Sequence, residues 1–230
     1  MTDLNRRAVL ATGAALAASP ALAKPKPKCV TWTFDRLADI GGAPTHVEDE
    51  PTLVDSPYGK AVQFDGVDDR LVIDQHPFAG AEQFTAEALF RPDGGAQAQR
   101  WMHVAEDPQA PTDGPPLNTR MMFEIRTENG EWWLDTYVTG PGYKQTLIFP
   151  DKRFPIGRWY AVAQSFDGQM YRCFVDGVLQ GEAAIAYKPQ GPGKSSIGAR
   201  MNKIDYFKGA IRQARFTHAA LAPSKFLSAK

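Results

Sequence analysis

Along residues 120–138, RMMFEIRTENGEWWLDTYV, side chains alternate in character on both sides of an Asn-Gly dipeptide. Phe123 and Ile125 fall opposite Arg120, Met122, Glu124 and Arg126; past the turn, Trp132, Leu134 and Val138 fall opposite Trp133, Asp135 and Tyr137. Successive side chains of a strand point to opposite faces, so this spacing predicts a hairpin with one core face and one face of carboxylates, guanidiniums and large aromatics. Further runs rich in aromatic and β-branched residues recur along the chain: CVTWTF, AVQF, DRLVI, FTAEALF, RWMHVAE, TLIF, WYAVAQSF, MYRCFV, SIGAR and YFKGAIRQARF. Asp-Gly or Asn-Gly turn signals at 65–66, 93–94, 129–130, 167–168 and 176–177 separate many of them. These dipeptides supply the positive φ of tight hairpin turns. Without sustained helical periodicity, the pattern predicts an all-β fold, an antiparallel two-sheet sandwich or jelly roll. Two Pro- and acid-rich stretches, 43–59 and 106–119, read as long loops, the second over one end or mouth of the sandwich.

The first 23 residues change the picture of location. Arg6 and Arg7 precede a short apolar run that closes on Ala21-Leu22-Ala23, the small-x-small pattern of a cleavage site. The run carries Gly13 and Pro20 and is too short to span a bilayer, which argues against membrane insertion. The arginine pair resembles a twin-arginine export signal, with an ordinary secretory signal as the plainer alternative. Either way the expected product is a periplasmic or secreted protein cut near Ala23, with KPKPK (24–28) as linker and residues 29–230 as one domain. The chain has 26 basic and 26 acidic residues; the leader holds Arg6, Arg7 and Asp3, leaving 24 and 25. That balance argues against a nucleic-acid or anionic-membrane binder. Cys29 and Cys173 are the two cysteines, and an oxidising compartment permits a bridge between them. Cys173 shares a strand face with Tyr171 and Val175, however, where a buried free thiol acts as a small hydrophobe.

Five pieces in order carry a resemblance: WTFD (32–35), GKAVQFDGVDDRLVI (59–73), FTAEALFRP (84–92), GRWYAVAQSFDGQMYRCFVDGVL (157–179) and FKGAIRQARFTHAAL (207–221). Together they resemble the laminin-G-like branch of the concanavalin A-like lectin/glucanase superfamily. The resemblance implies two antiparallel sheets, one of them concave. It spans sugar-binding modules, adhesion modules and glycan-cleaving enzymes, so fold alone does not choose among them. Some relatives bind calcium at loop carboxylates, which makes Asp65, Asp68 and Asp69 metal candidates. The competing reading gives Asp65 and Asp68 to the turn itself.

Alternation places Glu87, Arg91, His103, Arg120, Glu124, Arg126, Trp133, Asp135 and Tyr137, with Gln164 and Arg172, on outward strand faces that are expected to converge on the concave sheet. A solvent-facing sheet is ordinarily polar, and cross-strand Arg–Glu pairs contribute roughly 0.2–1 kcal/mol with no further purpose. This face, though, lacks Lys and uses the residue types that grip polyhydroxy or acidic ligands. The leading expectation is therefore a glycan-binding module with Glu87, Arg91, His103, Glu124, Arg126, Trp133, Asp135 and Tyr137 at the ligand. A glycan-cleaving enzyme, hydrolase or polysaccharide lyase, would draw on Glu87, His103, Glu124, Arg126, Asp135 and Tyr137 of the same face. An adhesion module without a small ligand is the third reading. No nucleophile elbow, phosphate loop or zinc motif is present.

Overall fold

The computed structural model describes residues 26–107 and 119–230, so the expected leader, the start of its linker and most of the second long loop lie outside the described residues. The strands run β1 (Cys29–Thr33), β2 (Thr45–Glu48), β3 (Thr52–Ser56), β4 (Gly59–Asp65), β5 (Arg70–Ile73), β6 (Phe84–Pro92), β7 (Ala98–Glu106) and β8 (Arg120–Glu128). They continue as β9 (Glu131–Gly140), β10 (Tyr143–Ile148), β11 (Phe154–Pro155), β12 (Tyr160–Phe166), β13 (Met170–Val175), β14 (Val178–Ala184), β15 (Gly193–Ile197) and β16 (Lys208–Thr217). Two antiparallel sheets result. The first has the order β14-β13-β12-β6-β16-β4-β3, with β1 also paired to β16; the second has the order β10-β9-β8-β7-β15-β5-β2, with β11 paired to β9. The expected two-sheet sandwich is what forms.

Alternation fills the space between the sheets. Phe123, Ile125, Trp132, Leu134 and Val138 come from the second sheet, Phe84, Phe90, Val162 and Tyr171 from the first, and all are buried in one cluster. Trp132 packs edge-on against Phe90 and Tyr160 with ring centroids 5.2 and 5.1 Å away, the geometry aromatic quadrupoles prefer. The β8–β9 turn is made by Asn129 and Gly130 at φ 53° and 78°, the two positive values a tight primed turn requires.

Two expectations need correction, and one alternative is decided. The stretch 43–59 is not one loop: it contains β2 and β3, edge strands whose mostly exposed residues leave no alternating apolar face to read. Gln164 does not face outward. It shares the inward side of β12 with Tyr160, Val162 and Phe166, and accepts the Tyr171 hydroxyl. Of the two readings of the cysteines, the free thiol is the one found: Cys29 lies exposed on β1, while Cys173 is buried beside Thr136, its Sγ 3.4 Å from Oγ1.

Candidate functional site

The outward faces of β7, β8, β9 and β10 form a lattice of cross-strand rows. Arg126 pairs with Trp133; Arg100, Glu124, Asp135 and Ile148 line the next row; His103, Met122, Tyr137 and Thr146 the next; Arg120, Thr139 and Lys144 the last. One irregularity makes this possible. The β7–β8 register shifts between Arg100 and Met102, a bulge at Trp101. A bulge inserts one unpaired residue and changes which face the following side chains take. Trp101 and Met102 therefore both enter the core, and Arg100 joins His103 on the outer face. Simple alternation sets Trp101 beside His103 and Arg100 beside Met102, so it hides Arg100 from the sequence.

Ion pairs tie the rows together. Arg126 Nε lies 2.7 Å from Asp135 Oδ2, and its Nη2 4.0 Å from Glu124 Oε2. Arg100 reaches Glu124 Oε1 at 3.0 Å and Asp205 Oδ2 at 2.8 Å. Glu124 and Asp135 stand opposite one another, 3% and 1% exposed. Burial first, then the Asp135 charge, pushes the Glu124 carboxyl up to about 7, against the pull of Arg100. His103, 5% exposed, is pushed down to about 3 by burial and by Arg120, Arg200 and Arg100. Its Nδ1 accepts the Met201 N–H at 3.1 Å, so the neutral ring carries its proton on Nε2.

The aromatics differ from expectation. Trp133 is 4% exposed and its ring is capped by the Arg153 guanidinium, 4.5 Å from the centroid. It is therefore no open stacking platform. Tyr137 is half-buried, with Arg120 and Lys144 at 5.1 and 5.9 Å from its ring. Buried polar atoms on this face without a hydrogen-bond partner among the described residues include His103 Nε2, Trp133 Nε1 and Asp135 Oδ1.

Glu87 and Arg91 are not brought to this face. Both lie on β6, in the other sheet. The Arg215 guanidinium grips Glu87 with bonds of 2.6 and 2.8 Å, and the Leu227 N–H adds a third at 2.6 Å, so the chain after β16 covers it. Arg91 is held by both carboxylate oxygens of Asp93 and by Gln63. Arg172, also in that sheet, pairs with Asp167 and Glu182. Convergence fails because strand faces repeat in each sheet, and period-2 spacing does not say which sheet a strand joins.

Asp65, Asp68 and Asp69 do cluster, with carboxylate oxygens within 4.8 Å of one another. Their oxygens are largely spoken for. Asp69 accepts the N–H groups of Glu50 and Asp65, and Asp65 accepts those of Val67 and Asp68. A hard cation wants six to eight oxygens, and this donor set fits a self-bonded turn better than a calcium shell.

A laminin-G family model, described as concanavalin A-like lectin/glucanases superfamily, matches residues 65–225. The chain belongs to that superfamily. A comparison with curated proteins finds no significant match. Among solved structures, domain 4 of the extracellular GH43 arabinanase AbnA from Geobacillus stearothermophilus, in complex with arabinotriose, is 16% identical, with a TM-score of 0.63 over 87% of this chain and 97% of that one. The Ruminococcus gnavus IT-sialidase CBM40 bound to α2,3-sialyllactose is 14% identical, with a TM-score of 0.50 over 78% and 95%. The botulinum neurotoxin serotype D ligand-binding domain, in complex with N-acetylneuraminic acid, is 13% identical, with a TM-score of 0.60 over 85% of this chain and 48% of that one. At these identities the superfamily's sandwich is what is shared. Its members supply no residue-level assignment here.

Proposed function

We propose that the protein is an exported, periplasmic or secreted, carbohydrate-binding module that takes its glycan on the outer face of β7, β8 and β9. The observation carrying this is the buried polar inventory of that face. Guanidiniums are fixed in place by Glu124, Asp135 and Asp205, and the hydrogen-bonding atoms His103 Nε2, Trp133 Nε1 and Asp135 Oδ1 lack partners among the described residues. Buried polar atoms are costly unless paired, and a sugar's hydroxyls offer both donors and acceptors in a small volume. The sugar-bound structures sharing this fold support the same reading.

The hydrolase alternative is less well served. Glu124 and Asp135 stand opposite one another across β8 and β9, and each is engaged by a guanidinium, Arg100 and Arg126. A glycosidase needs one carboxyl to protonate the leaving oxygen and a second to attack or to activate water, and neither carboxyl here is free of its guanidinium. His103 offers an N–H rather than a free base, because its Nδ1 is committed to Met201. The adhesion reading wants a flat exposed aromatic patch, whereas Trp133 is buried and Tyr137 is flanked by cations.

The test is titration calorimetry of the processed protein against neutral and acidic polysaccharides, with new reducing ends and unsaturated products monitored in parallel. Binding without cleavage, weakened in Tyr137→Ala and Arg126→Lys at an unchanged melting temperature, is the expected result. If no glycan binds, or both variants bind as the wild type does, the reading fails.

A further inference from the structure

His103 sits among three guanidiniums contributed by separate elements: Arg100 on β7, Arg120 on β8 and Arg200 on the segment between β15 and β16. The carboxylates of this face among the described residues are engaged by other guanidiniums. Glu124 and Asp205 pair with Arg100, and Asp135 pairs with Arg126. Arg200 has no ion-pair partner among the described residues, and its Nε is buried without a hydrogen bond among them. The turn that carries it is nonetheless held by backbone bonds, Arg200 N–H to Ile204 O at 3.1 Å and Lys203 N–H to Arg200 O at 3.0 Å. Met201 N–H then binds His103 Nδ1, which turns the ring so that Nε2–H is the donor left over. The spot thus combines a guanidinium carried on a hydrogen-bonded turn, without a counter-charge among the described residues, with an N–H donor that is nine-tenths buried.

Taking this face to be a glycan site, we propose that its ligand is an acidic glycan, one sugar carboxylate of which is seated on Arg200 and His103 Nε2–H beside Arg120. A carboxylate matches the planar donor fork of an arginine through two parallel hydrogen bonds. It also supplies the negative charge that Arg200 does not receive from the carboxylates of the described residues. A neutral sugar would leave Arg200 partly desolvated and uncompensated, a costly state for a charge. The chain as a whole is close to neutral, so this excess belongs to the spot and not to a generally basic surface.

The experiment uses polygalacturonate, alginate and hyaluronan oligosaccharides and 3′-sialyllactose, each beside its carboxyl-reduced counterpart. Binding is read by calorimetry at two salt concentrations. At least one acidic probe should bind at least tenfold more tightly than its reduced form. Arg200→Gln should weaken that acidic probe about ten- to a hundredfold, the usual loss for a charged hydrogen bond. It should also flatten the salt dependence and leave the melting temperature in place. Arg200→Lys should recover part of the affinity. If acidic and reduced forms bind equally, or the natively folded Arg200→Gln binds the acidic probe as the wild type does, the carboxylate seat is wrong while the glycan reading survives. Failure of every probe and every neutral polysaccharide overturns both.

Discussion

Replacing Glu124 with Gln tests the electrostatics of the candidate face directly. The Glu124 carboxyl has its folded pKa raised from 4.5 to about 7 by burial and by Asp135. A raised carboxyl pKa means that the folded state binds a proton more tightly than the unfolded chain does. Its stabilising contribution is complete below pH 4.5 and is lost as pH rises through 7. With one pKa unit worth about 1.4 kcal/mol, the raised value gives a loss of roughly 2–3 kcal/mol in going from pH 5 to pH 8. Glu124→Gln is neutral at every pH and escapes that loss. The attraction of Arg100 to the ionised carboxylate is already contained in the value of about 7, and in the variant Arg100 keeps Asp205. The quantity to measure is therefore the change with pH in the stability difference between variant and wild type. Paired urea titrations at pH 5 and pH 8 should show the variant gaining about 2–3 kcal/mol on the wild type at the higher pH. For a domain of this size that corresponds to roughly 5–10 °C in relative melting temperature. A difference that stays constant between the two pH values would refute the buried, carboxylate-coupled environment of Glu124.

Leu134→Ala should destabilise by about 2–5 kcal/mol in chemical denaturation, because Leu134 is buried in the inter-sheet cluster and truncation leaves a cavity. In the native protein a thiol reagent should modify exposed Cys29 promptly. Cys173, its thiol pushed up to about 12 by burial, should react only after unfolding, for two thiols in all without reductant. Replacing Arg6 and Arg7 together with lysine should abolish export if the twin-arginine route is used, as read by fractionation; unchanged export would mark an ordinary secretory signal.

Much of the architecture was legible because core strands advertise themselves. Phe123, Ile125, Trp132 and Leu134 fall inward just where alternation puts them, and the Asn129-Gly130 turn forms as its dipeptide demands. The edge strands β2 and β3 were not legible: exposed on most positions, they carry no apolar period. The candidate face was half legible. Glu124, Arg126, Asp135, Tyr137 and His103 could be assigned to outward positions, yet Glu87 has the same alternation and belongs to the other sheet. Arg100 was hidden by the bulge at Trp101. Arg200 and Asp205 lie between strands, where no periodicity operates. The burial of Trp133 depends on Arg153, twenty positions further along, which no local pattern announces.

The position of β16 bears on how the protein comes to be folded. It runs through the middle of the first sheet, between β6 and β4, and also receives β1, so that Cys29 lies opposite Thr217. The strand that completes this sheet thus follows every other strand of the domain, and its partners β1, β4 and β6 lie far upstream of it. Closing such a loop exacts its entropy before the contacts return it, which places folding among the slower, non-local class of roughly milliseconds to seconds. Until β16 docks, β4 and β6 present unpaired edges toward each other. The clamp of Glu87 by Arg215 and the Leu227 N–H adds to this dependence. The domain therefore has a period of vulnerability to edge-to-edge association that ends only when β16 docks.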